Sequence, residues 1–269
     1  MTASPARAAG PSLAIRGFDV LASEWTKLRS ARSNYLTLLV AAVVTIGGTF
    51  VVAHAIASTH GPPPPGPINA LTGSFLAFAE YTVLPVSVLS VLVFTSEYGT
   101  GLIRTTFTAV PRRWAVLAAK AAVTGTAALI AGELLAFASF FLTQAILSGS
   151  HRGLSLARSG VPGAVLAAGL VLAACALVGL GLGAIVRHTA GAIAATVAVI
   201  WLLALLCLFL PAPWRARIGR FTLPVAAYQV VALHPQAGLL SPALSLLVLL
   251  AWPAGILLTA AVVITRRDA

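Results

Sequence analysis

The chain has 269 residues, of which 59% are hydrophobic and only 9% charged, with a mean hydropathy of +0.99. Soluble domains carry about 25% charged residues, so these proportions exclude a soluble enzyme and a disordered chain and leave an integral membrane protein. The formal net charge of +11 does not point to nucleic acid, because most of the Lys and Arg flank apolar runs, where they set topology and meet anionic lipid.

Residues 1–12 are small and rich in Pro, Gly and Ser, the composition of a disordered tail. A helix follows over 18–33. Phe18, Leu21, Trp25 and Leu28 recur at three- and four-residue steps, with Asp19, Ser23, Lys27 and Ser30 off that stripe. A membrane span follows at once, so this helix reads as lying in the membrane interface rather than as a soluble leader. Lys27, Arg29 and Arg32 then sit near the headgroups. No cleavable signal peptide is expected. The first apolar run starts only at Leu36 and is longer than the roughly 7–15 residues of a signal core, so the small-x-small pattern at Ala53-His54-Ala55 is discounted.

Six spans are expected, at about 36–56, 70–94, 114–147, 161–186, 191–210 and 239–264, giving an all-α membrane fold over residues 13–269. The third run is too long for one upright span and must tilt or begin as an interfacial segment around Lys120. Between the first two spans lies Gly61-Pro-Pro-Pro-Pro-Gly66, a stiff polyproline turn. Residues 211–238 mix Trp214, Ile218, Phe221, Leu223 and Tyr228 with polar groups, which predicts short interfacial or re-entrant helices. No internal repeat is evident.

Orientation follows from the basic residues. Arg7, Arg16, Lys27, Arg29, Arg32, Arg104, Arg112, Arg113, Lys120, Arg187, Arg266 and Arg267 fall on one side of the six spans. Arg152, Arg158, Arg215, Arg217 and Arg220 fall on the other. The positive-inside rule places the first group, and with it both termini, in the cytoplasm.

The most informative loop is Ser96 to Arg113, SEYGTGLIRTTFTAVPRR. Ile103, Phe107 and Val110 fall at helical spacing, Gly99 and Gly101 loosen the entry, and Pro111 ends the helix. Such a helix is either a solvated connector or a coupling element that docks into a cytosolic partner.

Catalytic motifs are absent. There is no G-x-x-x-x-G-K-S/T loop, H-E-x-x-H pair or G-x-S-x-G elbow. The five His form no Cys/His cluster, and Cys175 and Cys207 lie in apolar runs as small buried residues. Gly179, Gly181 and Gly183 allow close helix packing rather than nucleotide binding. Two acids fall inside spans, Glu80 and Glu133. They line a substrate path, share a proton with each other, pair with a basic residue, or are protonated carboxyls bonded to a neighbouring helix.

Three stretches together resemble a known family, the membrane subunit (permease) of ABC-2 type ABC transporters, in the single-domain form common in high-GC Gram-positive bacteria. They are Ser23-Glu-Trp-Thr-Lys-Leu-Arg-Ser30, Ser96-Glu-Tyr-Gly-Thr-Gly-Leu-Ile-Arg-Thr105 through Pro111-Arg-Arg113, and Gly179-Leu-Gly-Leu-Gly-Ala-Ile-Val-Arg-His-Thr-Ala-Gly-Ala-Ile193. The resemblance covers about residues 18–265. It implies six spans with both ends in the cytoplasm of a bacterial plasma membrane and an N-terminal interfacial helix carrying Glu24, Trp25, Lys27 and Arg29. It also implies a coupling element carrying Glu97, Gly101, Arg104, Thr105, Phe107, Arg112 and Arg113, and small outer helices before the last span. Two permease copies, identical or related, would assemble with ATPase subunits that bind ATP and Mg²⁺. This chain itself needs no cofactor and is no enzyme. Export as the direction of transport comes from the resemblance alone. Glu80 departs from the apolar residue usual at its place. The rival reading is a stand-alone channel or scaffold with no ATPase.

Overall fold

The computed structural model describes residues 13–58, 70–110, 112–150 and 154–266, with side chains left undescribed at 13–16, 33, 70–81 and 150. The tail expected at 1–12, the polyproline turn at 61–66, Pro111, Arg152 and Arg267 lie outside the described residues. The side chain of Glu80 lies outside them too, although its backbone is helical.

The described residues hold helices and no strand. In order they form α1 (Leu13–Ser30), α2 (Arg32–Ser58), α3 (Ala70–Gly99), α4 (Leu102–Ala109), α5 (Arg113–Leu147), α6 (Val161–Val186), α7 (Thr189–Val197), α8 (Leu203–Leu208), α9 (Ala212–Ile218), α10 (Leu223–Val231) and α11 (Pro242–Arg266). A π-helical turn, Ala198–Leu202, joins α7 to α8 into one rod. Six segments are long and apolar enough to cross a membrane: Asn34–Ser58, Thr82–Gly99, Arg113–Leu147, Val161–Val186, Thr189–Leu208 and Pro242–Arg266. Apolar runs in a bilayer must satisfy every backbone N–H and C=O internally, which a helix does. Such a set of helices is that of a multi-pass membrane protein.

α6 lies at the centre, packed by α3, α5, α7, α10 and α11. Its Val165, Leu172, Val178 and Leu180 are fully buried. A Cβ at Gly179 would stand 2.5 Å from the Ser87 carbonyl oxygen of α3. Only glycine lets the two backbones approach so closely, which is the packing role read from the alternating glycines. α2 is tied to its neighbours by hydroxyls, Thr45 to Thr82 of α3 at 2.6 Å and Thr49 to Ser139 of α5 at 3.2 Å.

α5 is one uninterrupted helix of 35 residues. No break separates the segment around Lys120 from the rest of the helix. Lys120 is 1% exposed, because α1 folds back over the start of α5, beside Glu97 at the end of α3, and covers it. At the opposite end of the bundle, α9 and α10 fill the stretch before α11. They are pinned by Trp252 Nε1 donating to the Phe221 carbonyl at 3.0 Å and by the buried Gln229 side chain, which donates to the Gln236 and Leu240 carbonyls.

Candidate functional site

The charged end of the bundle gathers α1, α4 and the ends of α3, α5, α6 and α11. Its base is an apolar cluster of Phe94, Ile103, Phe107, Val116, Leu117, Leu180, Ala184, Ala260 and Ile264. α4 contributes Ile103 and Phe107 to it and half-buries Val110, the three residues whose spacing marked the helix. Gly101 enters α4 with φ 72°, a left-handed turn that glycine takes without strain. Val110 leaves it extended, at φ −124° and ψ 90°, the conformation favoured before proline. The other face of α4 is open: Leu102, Arg104, Thr105 and Thr108 are exposed. Arg112 is exposed as well. Arg113 turns inward, stacks over the Phe107 ring at 5.4 Å and donates to the Ile264 carbonyl at 3.2 Å, holding α4 and α5 to the end of α11.

Above this base sits a four-residue ion cluster. Lys120 Nζ donates to Glu24 Oε2 at 2.6 Å and to Glu97 Oε1 at 2.7 Å. Lys27 Nζ donates to Glu24 Oε1 at 2.7 Å and to Glu97 Oε1 at 3.0 Å. Glu24 is 4% exposed and Glu97 6%. Two ammoniums and two carboxylates cancel, which is how the buried Glu24, Glu97 and Lys120 persist beside a partly exposed Lys27. Burial alone would lower the Lys27 pKa. The hydrogen bonds and charges of Glu24 and Glu97 outweigh it and hold the ammonium above the ordinary lysine value. Glu97 Oε2 has no hydrogen-bond partner among the described residues. Lys120 also lies 5.7 Å from the Phe94 ring centre; Phe94 stacks on Tyr98, and the Arg187 guanidinium lies 5.2 Å over Tyr98. Cations from α5 and α6 therefore close both ends of one aromatic pair on α3.

The structure thus brings together Glu24, Lys27 and Glu97, and separately Phe107 and Arg113. It places Gly101, Arg104, Thr105 and Arg112 on the surface. Trp25 and Arg29 are exposed on α1. The apolar stripe of α1 is mostly exposed too, with Phe18, Leu21 and Trp25 open, and among its described side chains the one that α1 buries is Glu24. Lys27 is bound within the chain rather than directed only at headgroups. Glu97 is inside the protein, so it reaches any partner through the cluster and not by contact. Sequence reading missed Lys120 as a member. The signal present was a lone lysine six residues inside an apolar run, in a chain with few acids to meet it.

Glu133 stands apart on α5. Its carboxyl lies against Gly169 of α6, and Oε2 has no hydrogen-bond partner among the described residues. No group of three or more His, Cys, Asp or Glu that could hold a metal occurs among the described residues. Comparison with protein-family models and with curated proteins gives no match.

Proposed function

We propose that this chain is the membrane subunit of an ATP-driven ABC-2 type exporter of the bacterial plasma membrane. It would work as a pair of permeases with separate ATPase subunits. The reading is supported by the three resembling stretches and by the order of the six candidate spans. The observation that carries it is α4. This short helix is anchored by Ile103, Phe107 and Arg113 and offers Leu102, Arg104, Thr105 and Thr108 outward. It sits at the end of the bundle where the basic residues gather, which the positive-inside rule assigns to the cytoplasm. α1 lies in the interface there, with Phe18, Leu21 and Trp25 toward lipid.

In this mechanism ATP and Mg²⁺ are held by the partner, whose closure presses on α4. Ile103 and Phe107 pass that displacement to the packed ends of α3, α5, α6 and α11. The Glu24–Lys27–Glu97–Lys120 cluster makes α1, α3 and α5 move as one body. The spans of two copies then tilt as rigid units and carry cargo outward. Glu97 acts as a transmitting residue and Arg104 as a contact residue.

The test is gentle extraction of the tagged chain from its native membrane. A P-loop ATPase should co-purify, and should be lost when 102–110 is replaced by a Gly/Ser linker while membrane insertion is unchanged. Absence of any such ATPase, under conditions that keep a known ABC transporter intact, would favour a channel or scaffold.

A further inference from the structure

A groove of about 360 Å³ runs between α1, α2, α3 and α5. Leu38, Leu89 and Ala131 are typical of its walls, which are apolar for most of their length. Trp25, Arg29 and Tyr35 line it from α1 and the start of α2. The volume is at the small end of the roughly 300–1,000 Å³ of small-molecule sites, which suits one acyl chain better than a bulky solute.

Two features give the groove chemical direction. The first is charge. The two lysines and two glutamates of the ion cluster cancel, and no described acidic side chain pairs with Arg29 or Arg32. The α1–α2 junction therefore keeps a net positive charge where Trp25 and Tyr35 offer amphipathic rings, the arrangement found at headgroup depth. The second is Thr124. Buried threonines elsewhere in these helices, such as Thr45, Thr95, Thr143 and Thr196, donate their hydroxyl to the carbonyl four residues back. Thr124 is 4% exposed, lines the groove, and its Oγ1 has no hydrogen-bond partner among the described residues. A buried hydroxyl left unpaired calls for an explanation, and an acceptor carried by a ligand supplies one.

We infer that the groove holds one acyl chain of an anionic glycerophospholipid, with the phosphate at Arg29 and an ester carbonyl accepting the Thr124 hydroxyl. A second copy of this chain fits less well, since a two-fold contact here would bring the arginines of both α1 helices together. The site is independent of the transporter reading and needs no ATPase.

The probe is the full chain reconstituted in an equal mixture of phosphatidylglycerol and phosphatidylcholine with matched chains, re-extracted in mild detergent, and assayed for retained lipid by native mass spectrometry. Phosphatidylglycerol should be retained over phosphatidylcholine by about fivefold, the factor for one basic residue near an anionic surface. Arg29→Gln should remove the preference. Thr124→Val should weaken retention of the ester lipid and leave an ether-linked analogue unaffected. Ala127→Phe, which fills the groove, should abolish retention while elution and helical circular dichroism stay unchanged. If Ala127→Phe does not fold, Arg29→Gln and Thr124→Val carry the test. Equal retention of both lipids, or full retention in a folded Ala127→Phe protein, overturns the inference. A disulfide between copies through Ile130→Cys overturns it too, because the groove then belongs to a chain–chain interface.

Discussion

A lysine ammonium at 1% exposure in an apolar bundle is stable only while carboxylates face it, and Lys120 has two. Removing one member of a buried ion pair leaves the others desolvated and uncompensated, at a cost of about 3–5 kcal/mol. Lys120→Met should therefore reduce the unfolding free energy in detergent by an amount in that range and lower the thermal unfolding midpoint with it, read by tryptophan fluorescence. Adding Glu97→Gln should restore part of the loss, because groups in one network are not additive. Strict additivity of the two substitutions would show that the cluster is not an energetic unit. Glu24, Lys27 and Glu97 were picked out in the sequence by the stretches around them. Lys120 was not, and the physical reason is distance along the chain. Its two acceptors lie 96 and 23 residues away, and a count of basic residues around apolar runs cannot distinguish a lysine at the headgroups from one covered by a returning helix.

Helices were legible because a helix is the state in which a single long apolar run satisfies its backbone groups within itself; α6, at Val161–Val186, coincides with the fourth run read from hydropathy. Their neighbours were less legible. Gly179 is the exception, since alternating glycines foretold a close approach and α3 makes it. Gly179→Ala should push Cβ into the Ser87 carbonyl and destabilise by about 1–3 kcal/mol, as overpacking does. Gly255→Ala on α11, with nothing within 4 Å of its Cβ position, should be tolerated. Equal midpoints for the two variants in thermal unfolding would contradict the α3–α6 packing. For α1, periodicity revealed the amphipathic stripe but not what the other side rests on. That side buries a carboxylate, and hydrophobic patterning carries no information about where a carboxylate finds its partner. α4 was legible as an element because its three apolar residues and the flanking Gly and Pro agree.

The fold sorts its polar groups into two ends. One carries the ion cluster, α4 and the arginines at 104, 112, 113 and 187; the other carries α9 and α10. In the proposed transporter α4 receives force at the first end and the α1–α3–α5 unit passes it into the bundle. The open face of α4 would then meet an ATPase, and site-specific photocrosslinking in intact cells tests that contact. A photoreactive residue at Arg104 or Thr105 should capture a P-loop ATPase. The same residue at Leu258, exposed on α11, should not. Capture of no ATPase from either position on α4, at normal expression and membrane insertion, would contradict the coupling role of this helix and the transporter reading with it.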